Sequence, residues 1–141
     1  MMASRPRSIE RRDRWRRWAL GGQGVYYVAT GLWPLLHFDS FADVVAFQVN
    51  PFQAQAFAAV IIVVGLALLE AARREPPGPF PTLLGIAVAG AISVVSLTWL
   101  PRLGAASGLW ADLAVEVAFA VALGVLYPRA QADPTRTPRR R

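Results

Sequence analysis

Apolar residues along this chain do not recur with the three-to-four spacing of a half-buried helix or the alternation of a half-buried strand. They are massed in four nearly unbroken blocks, at about residues 19–38, 54–72, 82–100 and 108–127. A helix needs about 20 mostly apolar residues to cross about 30 Å of hydrocarbon, and each block is near that length. A span must satisfy its own backbone polar groups, so four such blocks predict an all-α fold, a four-helix transmembrane bundle. Prolines punctuate the pattern. Pro34 falls near the end of the first block, Pro76, Pro77 and Pro79 surround Gly78 between the second and third, and Pro101 and Pro128 follow the third and fourth. Each removes a backbone donor and crowds the preceding turn. The blocks fill more than half of the chain and leave no room for a separate soluble domain. The expected organisation is a basic interfacial segment over 1–17, a membrane domain over 18–128 and a polar, Pro-bearing, disordered tail over 129–141.

The segments between blocks carry weaker patterns. Residues 39–53 hold Asp39, Asp43, Asn50 and Pro51, while Phe41, Val44, Val45 and Val49 repeat at three and four. This predicts a short helix, either in the outer interface or packed over the ends of the bundle. Ile9 to Trp18 is expected to form a short helix on the membrane face, with Trp15 and Trp18 at headgroup level. The first block has the basic start of a signal peptide, but its apolar run is too long and no convincing small-residue cleavage site follows, so a retained helix is expected. Gly85, Ala89 and Ser93, four apart, make a small-residue stripe that lets another helix approach. Trp33-Pro34-Leu35 before Ala42-Asp43, and Trp99-Leu100-Pro101 before Trp110-Ala111-Asp112, hint at two helical hairpins related by an internal repeat.

Charge turns the spans into a topology. The formal net charge is +6, and all 15 basic residues are arginine. With the amino end inside, fourteen of these arginines fall in cytoplasmic segments, and Arg102 alone lies outside. The positive-inside rule then places both termini in the cytoplasm, and the match requires an even number of spans. The basic segment could contact nucleic acid or lipid, but it is also what the topology rule demands. Membrane lipids are the expected partners and nucleic acid is not. The Arg, Ala, Gly and Pro bias suggests GC-rich coding and a bacterial inner membrane. With Cys 0, disulfides, thiol catalysis, thiolate metal sites and Cys lipidation are excluded.

Ionisable residues inside hydrocarbon cost roughly 2.5–3.5 kcal/mol each on insertion scales, which singles out a few positions. Glu116 lies near the middle of the fourth span, and Asp112 lies one turn outward on the same face. His37 falls near the outer end of the first span and Arg102 in the outer turn. The expectation is a polar pocket lined by His37, Asp112, Glu116 and Arg102 and open to the outside, which Ser93, Ser96 and Thr98 could join. Two carboxylates about 6 Å apart on successive turns would tend to share a proton. The competing reading is structural: the two acids pin neighbouring helices, and His37 caps the first. Glu70, near Arg73 and Arg74, reads as a paired boundary residue. No catalytic residue set, cofactor or metal is expected. One histidine without cysteine is too few zinc ligands, Gly21-Gly22-Gln23-Gly24 opens a span rather than following a strand, and no Ser-His-Asp set is indicated.

The segment Tyr26 to Phe41, with its Gly31-Leu32-Trp33-Pro34-Leu35-Leu36 run, resembles a group of small, uncharacterised four-span bacterial membrane proteins. Gly65 to Arg74 and the acidic pair of the fourth span are also similar. The chain departs from that group after Phe41, where Ala42-Asp43-Val44-Val45 replaces a Thr-Gly-Pro-Lys-like turn. More distantly, the layout resembles DoxX-type proteins and the sterol-isomerase and sigma-2-receptor superfamily. The resemblance implies the four-span fold and no biochemical activity. Three functions are open. The first is binding of a lipid or hydrophobic small molecule between the helices. The second is a structural or accessory subunit, as a homo-oligomer or with a membrane-protein partner. The third is a small proton-coupled transporter or channel. A lipid-modifying enzyme ranks below these.

Overall fold

The computed structural model describes residues 7–45, 50–103 and 107–128. They form five helices: α1 (Arg7–Leu36), α2 (Phe38–Val45), α3 (Pro51–Ala72), α4 (Pro79–Leu103) and α5 (Leu109–Leu126). No strand occurs among the described residues. The expected disorder of 129–141 and the place of Val49 lie outside them.

Three helices, Pro51–Ala72, Pro79–Arg102 and Leu109–Leu126, are long and apolar enough to cross a membrane. Their starts follow local chemistry. Asn50 caps α3, its side chain accepting from the amides of Phe52 and Gln53, with Pro51 just inside the helix, where a missing donor costs nothing. Pro34 and Pro101 sit inside the last turns of α1 and α4, so these helices run two residues beyond the proline. Tyr127 ends α5, just before Pro128.

α1 differs from the expectation of a separate surface helix over Ile9 to Trp18. The basic stretch and the first apolar block form one helix of 30 residues, about 45 Å long at 1.5 Å per residue. No proline or β-branched run interrupts Arg7 to Leu20, and the glycines at 21, 22 and 24 fall where α1 packs on other helices.

The two most extensive packings join α1 to α3 and α4 to α5, and α1 also meets α5, α2 and α4. Arg17 of α1 bonds the Ala72 carbonyl of α3, Gly24 faces Gly65, and Gly31 faces Ala58. Each step forward of seven on α1 is a step back of seven on α3, so the pair is antiparallel in constant register. The approach is close. A Cβ on Gly24 would lie 2.8 Å from the Gly65 carbonyl oxygen, and one on Gly31 would lie 2.9 Å from that of Ala58. On α4, Gly85, Ala89 and Ser93 are all buried, and a Cβ on Gly85 would lie 2.7 Å from Leu123 of α5. The small-residue stripe therefore faces inward. Leu20, Tyr27, Ile61, Leu68 and Leu123 form the buried core, while Val60, Val63, Leu66, Val94, Val121 and Val125 point outward.

α2 packs over one end. The amide of Gly108 donates to Val44 at 2.9 Å and the Ser107 hydroxyl to the Val45 carbonyl at 2.9 Å, which ties the end of α2 to the start of α5. At the opposite end, arginines of α1 reach the carboxyl ends of α3 and α5 and the turn that follows α3. Arg12 donates to the Val125 carbonyl of α5, and Arg16 to that of Pro77 at 2.7 Å. Arg17 donates to the Ala72 carbonyl at 3.1 Å and pairs with Glu75. The last carbonyls of a helix lack intrahelical partners and carry partial negative charge, and guanidinium groups satisfy both needs. Glu70 lies 3.8 Å from Arg73 and 3.7 Å from Arg74, the boundary pairing expected of it.

Candidate functional site

Along α1 from Leu20 on, the buried positions are Leu20, Gln23, Gly24, Tyr27, Gly31 and Pro34, a stripe spaced by three and four that faces the interior. Two members of that stripe are polar. On α5, Asp112 and Glu116 lie one turn apart. α1 and α5 pack together, so the polar positions of one meet the acids of the other in two rungs.

The inner rung is closed. The Tyr27 hydroxyl donates to Glu116 Oε2 at 2.8 Å. Gln23 Nε2 donates to the Tyr27 hydroxyl oxygen at 2.9 Å and to the Gly85 carbonyl of α4 at 2.9 Å. Gln23, Tyr27 and Glu116 are 0%, 1% and 1% exposed. An amide nitrogen can only donate, so Tyr27 accepts from Gln23 and must turn its own hydrogen toward Glu116. Donation thus runs outward from the Gln23 amide on α1, to the Gly85 carbonyl of α4 on one side and through the Tyr27 hydroxyl to Glu116 of α5 on the other. Gln23 Oε1 is buried without a hydrogen-bond partner. Gly85 makes room for this amide, since a Cβ there would stand 2.5 Å from Gln23 Oε1.

The outer rung is half-buried. Tyr26 donates to Asp112 Oδ1 at 2.5 Å. Asp112 lies in the first turn of α5, where the helix dipole favours a carboxylate. The Tyr26 ring packs 6.1 Å from that of Tyr27 and 6.0 Å from Phe119, which holds the phenol in place. Thr30 bonds the Tyr26 carbonyl at 2.8 Å.

The four residues expected to share a pocket divide into two sets. Asp112 and Glu116 stand side by side on the α1–α5 seam. His37 is exposed in the break between α1 and α2, where its backbone carbonyl accepts from Phe41 at 3.2 Å and from the Ser40 hydroxyl at 3.1 Å. Arg102 is exposed, its guanidinium 5.1 Å from the centre of the Trp99 ring. Among the described residues, no hydrogen bond or ion pair links His37 or Arg102 to the acids. Ser93 and Thr98 bond the carbonyls of Ala89 and Val94 on their own helix, at 2.7 and 2.8 Å, the back-bonding usual for hydroxyls in helices. Among the described residues, no group of three His, Cys, Asp or Glu side chains could hold a metal ion.

Sequence reasoning missed Gln23, Tyr26 and Tyr27. Their signal was present: Gln23 and Tyr27 lie four apart on the face that also carries Leu20, Gly24 and Gly31. Chemically, the inner rung couples three helices through neutral donors. The outer rung offers a phenol and a carboxylate, with one side open, to a hydroxyl or amino group.

Comparison of the chain with family models, with curated proteins and with solved structures gave no match.

Proposed function

We propose that this chain is a four-span protein of the bacterial inner membrane, with both termini cytoplasmic, that binds the polar head of a lipid or other hydrophobic small molecule at the outer half of the α1–α5 seam. Support for α1 as the fourth span comes from its register. The part of α1 beside α3 contains no charged residue from Trp18 to Leu36, and the residues that lower its apolar character, Gln23, Tyr26 and Tyr27, are those of the two rungs. Orientation is supported by the arginines, which gather at one end.

The observation that carries the binding reading is the half-buried Tyr26–Asp112 pair above a fully buried Tyr27–Glu116 pair. A carboxylate at membrane depth is costly unless it is used or paired. Here the inner acid is enclosed, and the outer one keeps a side open toward the helix surface. A ligand hydroxyl or amine would bond Asp112 while its apolar body lies along α1 and α5. Native mass spectrometry in mild detergent tests this. The expected result is a retained lipid or metabolite, lost from Asp112→Asn and Tyr26→Phe at unchanged fold; a bare chain, or retention unaffected by both variants, would remove the reading.

A second reading is favoured by a specific observation, the tyrosine donor that each acid already has. The two rungs would then serve only to lock α1 to α5, in a protein acting as a structural or accessory subunit. A stoichiometric protein partner and no ligand in the same spectra would select it. A proton-coupled transporter has less support, because Glu116 is enclosed.

A further inference from the structure

The arginines at the amino end of α1 are divided between two faces. Arg12, Arg16 and Arg17 turn inward to the carbonyls of α5, the α3–α4 turn and α3. Arg11, Arg14, Trp15 and Trp18 are spaced three, four and seven along the helix, hence on one side of it, and all four are exposed, Trp15 by 61% and Trp18 by 71%. No ion pair or hydrogen bond occupies Arg11 or Arg14 among the described residues; Glu10, one turn before Arg14, does not pair with it. This side continues through Val25, Ala29 and Leu32, all exposed, the face that α1 presents to hydrocarbon if it spans. One stripe thus runs from apolar residues, through two tryptophans, to two arginines that have no partner among the described residues.

Depth along the helix fits the layers of a bilayer. The α1–α3 register places Arg17 beside Ala72, where the apolar run of α3 gives way to Arg73, Arg74 and Glu75. Trp18 therefore stands at the hydrocarbon edge. At 1.5 Å per residue, Trp15 is about 4.5 Å, Arg14 about 6 Å and Arg11 about 10 Å beyond Trp18. Each headgroup layer is about 5–7 Å thick, so the backbone of Trp15 and Arg14 falls within it and that of Arg11 about 3 Å beyond it, a gap that a long arginine side chain spans. Tryptophan favours that layer, and guanidinium groups there meet phosphate in bidentate geometry.

From this arrangement we infer that Arg11, Arg14, Trp15 and Trp18 form a binding face for the headgroup of an anionic phospholipid of the cytoplasmic leaflet. The occupant is set by charge complementarity and by continuity with the lipid-facing side of α1. Arg12, Arg16 and Arg17, being held by backbone carbonyls, take no part. The inference rests on the reading that α1 crosses the membrane with its amino end inside.

The test is native mass spectrometry of the full chain in mild detergent with equal amounts of phosphatidylglycerol and phosphatidylcholine. A basic residue at an anionic surface favours binding by on the order of fivefold. Wild type should retain phosphatidylglycerol preferentially by at least that factor, and the Arg11→Gln/Arg14→Gln double variant should retain the two lipids nearly equally. A control, Arg139→Gln/Arg140→Gln, should keep the preference. No preference in wild type, or a preference that survives in the double variant, would overturn the assignment. Because the chain has no cysteine, Ser8→Cys gives a single label for a membrane-impermeant maleimide on intact cells. Protection there, with no lipid preference, would reject the lipid face and keep the orientation; labelling from outside would reject the orientation and the cytoplasmic-leaflet assignment with it.

Discussion

Along α3, α1 brings backbone to backbone: Gly24 lies against Gly65 and Gly31 against Ala58, with no space for a Cβ on any of the three glycines. Along α5 it brings side chain to side chain: Tyr26 reaches Asp112 and Tyr27 reaches Glu116. In hydrocarbon, apolar side chains gain little by leaving lipid for protein, so helices associate through close packing or through hydrogen bonds. On the proposed four-span reading, α1 uses one means on each side. The glycine seam has no directional preference beyond shape. The polar seam fixes which face of α5 meets α1, because only one rotation matches both acids to both phenols. The first seam should therefore be sensitive to volume, and the second to loss of a single hydroxyl.

Gly65→Leu should have the largest effect. Its Cβ would meet the Gly24 carbonyl oxygen at 2.8 Å and the Tyr27 and Val28 side chains at 3.0 Å, and backbone cannot yield as a side-chain tip does. A loss of about 3 kcal/mol is expected, read by unfolding in mixed micelles. Gly90→Leu, where a Cβ meets nothing within 4 Å, should leave stability nearly unchanged. Equal stability of the two variants would break the comparison at its first half.

Tyr27→Phe comes next. It removes one hydroxyl and leaves both Gln23 and Glu116 without that partner in a buried place, so a loss of about 1–2 kcal/mol is expected in the same assay. If it is as stable as wild type, the inner rung does not hold the seam. Arg16→Ala should cost about 1 kcal/mol, from the lost bond to the Pro77 carbonyl, and thermal unfolding in detergent measures it. The smallest effect belongs to the half-buried outer rung. A double-mutant cycle of Tyr26→Phe with Asp112→Asn should give a coupling of about 0.6 kcal/mol, the average for hydrogen bonds between membrane helices. A coupling larger than the Tyr27→Phe loss would reverse the order of the two rungs.

The helices were legible because blocks of apolar residues are a composition signal, and composition needs no knowledge of neighbours. The short helix that became Phe38–Val45 was legible from its spacing, and its buried end, Val45, is tied to the start of α5. The continuity of α1 was not, because a run of arginines next to tryptophans suits a surface helix as well as the projecting end of a longer one. What decides is tertiary: the carbonyls of Ala72, Pro77 and Val125 bind three of those arginines. At the site, Asp112 and Glu116 stood out because charge in a span is costly. Their partners did not, since Tyr and Gln raise no such alarm. Grouping His37 and Arg102 with the acids followed from depth alone. Depth along a span can be counted from sequence, but the direction a residue faces around its helix depends on which helices pack there. The exposed positions of His37 and Arg102 show the difference.

The guanidinium contacts of α1 also have a place in time. α1 is the first of these helices to leave the ribosome, and it carries Arg12, Arg16 and Arg17 before any of their acceptors has been made. The carboxyl end of α3, the turn after it and the carboxyl end of α5 emerge later, in that order. Each arrives bearing carbonyl oxygens for which a donor is already waiting. The earlier-made helix is in this sense a docking gauge for the later ones. A helix inserted one turn too deep or too shallow would carry its last carbonyls about 5 Å away from the waiting arginine, beyond hydrogen-bonding reach.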